Sequence, residues 1–164
     1  MGGDSSARYI EHDITNWAGQ VLTLNLRNLH RDTCDKEACG ICIDIVISSY
    51  GCNNADSHRR IISLRTTDHA NVKFWIVVDN PDQNNLLKIK LLAEGMNDQT
   101  FASNYFVNLV HYGENRGASY ARNTGYYYST ADWIIVVDVD VIPDKHLLDE
   151  YMGSVEAYSN SKVM

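Results

Sequence analysis

Two aspartates one residue apart, Asp138 and Asp140, close the most apolar run of the sequence, Trp133-Ile134-Ile135-Val136-Val137. Side chains two apart on an extended chain point to the same side, so the pair can present two carboxylates to one hard cation. Mn²⁺ or Mg²⁺ suits such a pair, because a cation held by one or two carboxylates keeps its other positions for water and substrate phosphates. Two acids can also simply end a strand and begin a turn. Setting both beside so apolar a run without a cation is costly, which favours the metal. Other polar breaks share this setting: Ser48-Ser49-Tyr50, then Asp79, then Asn115 and Gly117 with Arg122 just beyond.

Each break follows a segment that reads as a strand. Cys42 to Ile47 is short and β-branched and stops at Ser48, as a strand buried on both faces does. Lys73 to Val78 ends in Asp79-Asn80-Pro81, and Tyr105 to Tyr112 runs into the polar, glycine-bounded residues 113–117. Helical patterns lie between. Ser57 is placed to cap a helix whose apolar face is Ile61, Ile62 and Leu64, with His58, Arg59 and Arg65 left in water. Leu86 to Ala93 is a helix stopping at Gly95, and Ala118 to Thr130 is one that tolerates an interior Gly125. Pro143 opens a last helix containing Leu147, Leu148 and Tyr151. The alternation predicts an α/β domain, a mostly parallel sheet with helices on both faces and right-handed crossovers. Ligands of such sheets bind outside the carboxyl ends of the strands, where all these breaks lie.

The ordered series Ile45-Val46-Ile47-Ser48-Ser49-Tyr50, Ile76-Val77-Val78-Asp79-Asn80, Asn115-x-Gly117 followed by Ala121-Arg122-Asn123-x-Gly125, and Asp138-x-Asp140-x-x-Pro143 resembles the family 2 inverting glycosyltransferases of the GT-A fold. The resemblance implies a Rossmann-like transferase that moves a sugar, with inversion, from a nucleotide-diphosphate sugar. It implies UDP- or GDP-sugar as donor, Mn²⁺ or Mg²⁺ as cofactor, and a glycan, lipid or protein acceptor that it does not identify. Ser48, Ser49 and Tyr50 then stand in the loop that cradles the nucleotide, and Asp79 where an acid hydrogen-bonds the base, often uracil. Asn115, Gly117 and Arg122 line the ribose and diphosphate side. Asp138 contacts the ribose or the metal, and Asp140 is the main metal ligand. The chain departs from the family at Ser48-Ser49-Tyr50-Gly51, where Pro-Thr-Tyr-Asn is usual. The family places its acceptor pocket and general base well beyond the position of Asp140, whereas this sequence runs on only to Met164. The expectation is therefore a donor half incomplete on its acceptor side, with no catalytic base assigned. Glu150 and Glu156 read as solvated helix carboxylates.

Two alternatives differ in class. One is a nucleotide-sugar-binding fragment without turnover. The other is a haloacid-dehalogenase-like phosphatase, which also ends a buried strand in Asp-x-Asp but on its first strand rather than its fourth.

A length of 164 residues fits one compact domain, and 45% hydrophobic with 21% charged residues is ordinary for a soluble protein. The net charge of -7 argues against a nucleic-acid partner, which requires a basic surface. The start is polar rather than basic then apolar, and each apolar run is too short to span a bilayer, so the expectation is a soluble, cytoplasmic protein without evident membrane association. Residues 1–40 read as an extension or linker, with residues 21–26 a candidate edge strand, and residues 41–164 as the nucleotide-sugar-binding domain. Residues 1–6 fit the loose pattern for myristoylation but read as a plain disordered tail. Cys34, Cys39, Cys42 and Cys52 read as structural thiols rather than zinc ligands or disulfides. Of Tyr126, Tyr127 and Tyr128, consecutive on a helix, one or two should pack on the sheet. His111 reads as structural, and Lys88 and Lys90 as a solvated face.

Overall fold

A computed structural model describes residues 8–11, 41–50, 55–66, 70–79, 82–99, 105–113 and 115–161. The elements follow in the order β1 (Arg8–Glu11), β2 (Cys42–Tyr50), α1 (Ala55–Ile62), β3 (Asn71–Asp79), α2 (Gln83–Gln99), β4 (Tyr105–Tyr112), α3 (Gly117–Tyr128), β5 (Trp133–Asp138) and α4 (Leu147–Ser161). The strands form one sheet in the order β1-β4-β3-β2-β5, and every pairing is parallel. The chain steps outward from β2 to β3 to β4 and then returns to place β5 on the far side of β2. That reversal is the topological switch at which open α/β sheets take their ligands.

Strand periodicity sorts the core into two layers. Ile43, Ile45 and Ile47 of β2 and Val72, Phe74, Ile76 and Val78 of β3 pack with Ile61 and Ile62 of α1, Leu86, Ile89 and Ala93 of α2, and Leu148 and Met152 of α4. The alternate residues Val46, Trp75, Val77 and Val110 meet Ala121 and Tyr128 of α3 on the other face. Tyr128 is fully buried and stacks on Trp75 with ring centroids 5.8 Å apart, whereas Tyr126 and Tyr127 are exposed, as consecutive helix positions require. Helix α3 lies close to the sheet because Gly125 carries no side chain. A β-carbon there would fall within 2.7 Å of Val46 Cγ2 and nearer still to Cγ1.

Several expectations are corrected. Ser57 does not cap α1, because the helix already runs at Ala55. His58 is fully buried rather than wet. It precedes Ile61 and Ile62 by three and four residues and so shares their stripe. Arg65 is partly buried: its Nη1 donates to the carbonyls of Ile62 and Leu64 at 2.8 Å each, and its guanidinium lies 4.3 Å from the centre of the Tyr105 ring. Helix α2 runs through Gly95 to Gln99, and the last helix begins at Leu147 rather than beside Pro143. Cys42 is disulfide-bonded instead of a free thiol, to a partner outside the described residues. Within residues 1–40, Arg8–Glu11 forms a parallel edge strand on β4; residues 1–6 and 21–26, with Cys34, Cys39 and Cys52, lie outside the described residues. No described helix is long and apolar enough to cross a membrane.

Candidate functional site

The end of β5 is tied to β2 by backbone and side chain together. The Val139 amide donates to the Ser48 carbonyl at 3.1 Å, which carries the β2–β5 ladder past Asp138, and the Val141 amide then turns back to the Asp138 carbonyl at 3.0 Å. Ser48 Oγ donates to Asp138 Oδ1 at 2.7 Å, and Arg122 Nη2, reaching across from α3, donates to the same oxygen at 2.8 Å. These two donors, helped by the guanidinium charge, hold the Asp138 carboxyl below its ordinary range against a smaller opposing effect of burial. Asp138 is therefore an anion with one oxygen engaged, and Asp140, two residues on, is exposed at the same opening.

The opposite wall is built by Asp79 at the end of β3. Its carboxylate is almost wholly buried and accepts the Gly117 amide at 2.9 Å and the Arg116 amide at 3.2 Å, closing two of the free N–H groups at the start of α3. Gly117 has φ of 85°, a left-handed conformation that favours glycine, and this turn lets both amides face one carboxylate. Asn115 Oδ1 also accepts the Gly117 amide, at 3.2 Å. Beneath lies Tyr112, whose phenol is pushed far above its ordinary range by burial and then by the charge of Asp79 and by Tyr120. Tyr112 is thus a neutral phenol, capable of donating.

One cavity of about 280 Å³ gathers Ser48, Ser49, Asp79, Gly117, Asp138 and Asp140, with Ala118, Ala121 and Val139 completing its wall. Six of the nine residues singled out from the sequence meet there. Tyr50 ends β2 in register with Asp79, and its side chain lies outside the description. Asn115 is exposed at the entry to α3. Arg122 touches Asp138 but faces a neighbouring cavity that Tyr126, Val136, Leu147 and Tyr151 also line. Glu150 and Glu156 are exposed on α4 and border neither cavity.

Sequence reasoning missed two contributions. Ala118 and Ala121, three apart on α3, leave the space that a larger side chain would fill. His58 reaches Ser49 from below, its Nε2 2.9 Å from Oγ; its helical phase with Ile61 and Ile62 is the signal that could have found it.

Among the described residues, no three His, Cys, Asp or Glu side chains converge into an all-protein metal cage. A divalent cation at a diphosphate does not need one, since one or two carboxylates suffice when phosphates and water complete the shell. Asp138, with an oxygen uncommitted to Ser48 or Arg122, and exposed Asp140 on the same cavity fit that arrangement.

The parallel sheet with an acidic rim at its switch point is Rossmann-like and consistent with a GT-A domain. The family model for glycosyl transferase family 2 matches residues 44–161, and the chain belongs to that family. It is thus a glycosyltransferase by class, and the phosphatase alternative falls away. No curated protein matches the chain significantly.

Proposed function

We propose that the cavity at the ends of β2, β3 and β5 takes a UDP- or GDP-sugar together with Mn²⁺ or Mg²⁺, and that the sugar passes with inversion to a hydroxyl of a glycan, lipid or protein. The observation that carries this reading is that Asp138 and Asp140 line one cavity with Ser48, Ser49 and the first turn of α3. Asp138 and Asp140 hold the cation, which supplies Lewis-acid neutralisation of the departing diphosphate. Ser48 and Arg122 keep Asp138 ionised and aimed, so that Arg122 serves the diphosphate side through Asp138. Ser48, Ser49 and Tyr50 line the nucleotide, and Asn115 and Gly117 its ribose side. Asp79 keeps acceptor capacity beyond the two amides it already binds, enough to take a base N–H.

Inversion rests on the family resemblance. The acceptor oxygen attacks the anomeric carbon, the bond from that carbon to phosphate oxygen breaks, and the diphosphate leaves with the electron pair. The acceptor proton passes to a base that this cavity does not identify. Asp79 is engaged at α3, and Asp138 and Asp140 serve the cation.

Calorimetric titration with UDP and GDP, with and without Mn²⁺, tests the reading. The expected result is binding of one nucleotide that requires Mn²⁺ and is lost in Asp140→Ala. Metal-independent binding, or equal binding by the variant, overturns it.

A further inference from the structure

A second cavity, of about 470 Å³, lies at the end of β5 and is lined from both α3 and α4. Asp138 borders it as well as the first cavity, and Arg122, whose Nη2 donates to Asp138 Oδ1 at 2.8 Å, borders only the second. The ion pair therefore stands at the boundary between the two. Much of the hydrogen-bonding capacity around the second cavity is unspent. A guanidinium has five N–H groups, and among the described residues Arg122 gives only the one at Nη2. The phenols of Tyr126 and Tyr151, both partly exposed, have no hydrogen-bond partner among the described residues. Val141 and Leu147 add apolar wall beside them.

We propose that this cavity holds a saccharide, the acceptor, across the Asp138–Arg122 pair from the nucleotide-sugar. A pyranose matches such a lining: its hydroxyls suit an unspent guanidinium and two phenols, and its C–H faces suit tyrosine, valine and leucine surfaces. An acyl chain would desolvate the same polar groups and return no hydrogen bond to them. An extended peptide would add to the edge of β5, which among the described strands pairs with β2 alone, and would follow that edge down to Trp133 through main-chain bonds rather than these side chains. The shared border also sets the occupant beside Asp138, the acid proposed to hold the cation.

The acceptor role rests on the proposed donor site, whereas saccharide binding is measured without nucleotide. Backbone amide signals of the full chain are followed by NMR during titration with cellobiose, lactose or N,N′-diacetylchitobiose, and separately with octyl phosphate and an alternating threonine–valine hexapeptide. At least one disaccharide should shift Tyr126, Val136 and Tyr151 saturably. Tyr126→Ala and Tyr151→Ala should each weaken that binding by roughly 3- to 10-fold, the value of one hydrogen bond with its ring contact. Tyr126→Phe and Tyr151→Phe, which keep the ring, should lose less. Tyr127→Ala, exposed on the same helix but outside the cavity, should bind as the wild type does. The replaced tyrosines are partly exposed, and thermal unfolding of each variant checks that it folds. No shift with any of the three disaccharides, shifts centred elsewhere, or tighter binding of octyl phosphate or the hexapeptide at these residues overturns the proposal and leaves the donor site standing. Saccharide binding by a chain that takes neither UDP nor GDP with Mn²⁺ removes the donor site and overturns the acceptor role.

Discussion

Two carboxylates on the α3 side of the sheet have opposite environments. Asp44, near the start of β2, is fully buried, accepts Trp75 Nε1 at 2.9 Å and Ser129 Oγ at 2.6 Å, and lies 3.8 Å from buried Lys73 Nζ. Asp138, beside the other end of β2, is about half exposed and accepts Ser48 and Arg122. Burial pushes the Asp44 carboxyl up, outweighing Lys73 and its hydrogen bonds, whereas the donors at Asp138 outweigh burial and pull it down. With the proposed donor site, the contrast separates an acid that serves the fold from one placed to serve the chemistry. Donors that surround a buried carboxylate lock a helix end to the sheet, and donors that leave a half-exposed carboxylate with capacity poise it for a ligand.

The largest effect should come from breaking the lower cluster. Asp44→Ala deprives the buried Lys73 ammonium of its carboxylate and should cost about 3–5 kcal/mol in urea unfolding, leaving nucleotide affinity of the folded fraction unchanged. At the upper site, Asp140→Ala should instead weaken Mn²⁺-dependent nucleotide binding by roughly 100-fold, about 2.7 kcal/mol, with little change in unfolding. Between the two regions, Gly125→Ala forces a methyl onto Val46 and should cost about 1–3 kcal/mol, read as a shifted unfolding midpoint.

The smallest effect is in pH. Asp138, lowered in the fold, contributes stability that is fully present above its ordinary value of 3.8 and is lost as pH falls through the lower folded value. Asp44, raised in the fold, has the opposite sign: stability falls as pH rises from 3.8 through its folded value. Asp138→Asn should therefore flatten the acid limb of the unfolding profile, by only a few tenths of a kcal/mol at so exposed a site, while Asp44→Asn should remove the opposing slope. Unfolding midpoints measured from about pH 2 to 6 check both signs.

Much of this is legible in the sequence because strand ends mark themselves. The apolar runs before Ser48, Asp79 and Asp138 define both the strands and the sheet end at which those residues meet, and the observed β4, Tyr105–Tyr112, has the bounds its pattern suggests. The polar residues inside the runs are harder to place. Asp44 and Lys73 look like minor interruptions, and only the register that pairs β2 with β3 shows that they face each other directly. His58 reads as solvated by residue type, although its spacing to Ile61 and Ile62 places it in the core. The cap that Asp79 provides joins residues 37 and 38 positions apart, beyond the reach of any local pattern.

The most direct test of the upper site is paramagnetic broadening of backbone amide signals by Mn²⁺ added with UDP or GDP. The account predicts that Ser48, Gly117, Ala118 and Asp140 broaden first while Asp44, Lys73 and Ser129 stay sharp. Broadening centred elsewhere, or none at saturating nucleotide, would contradict it.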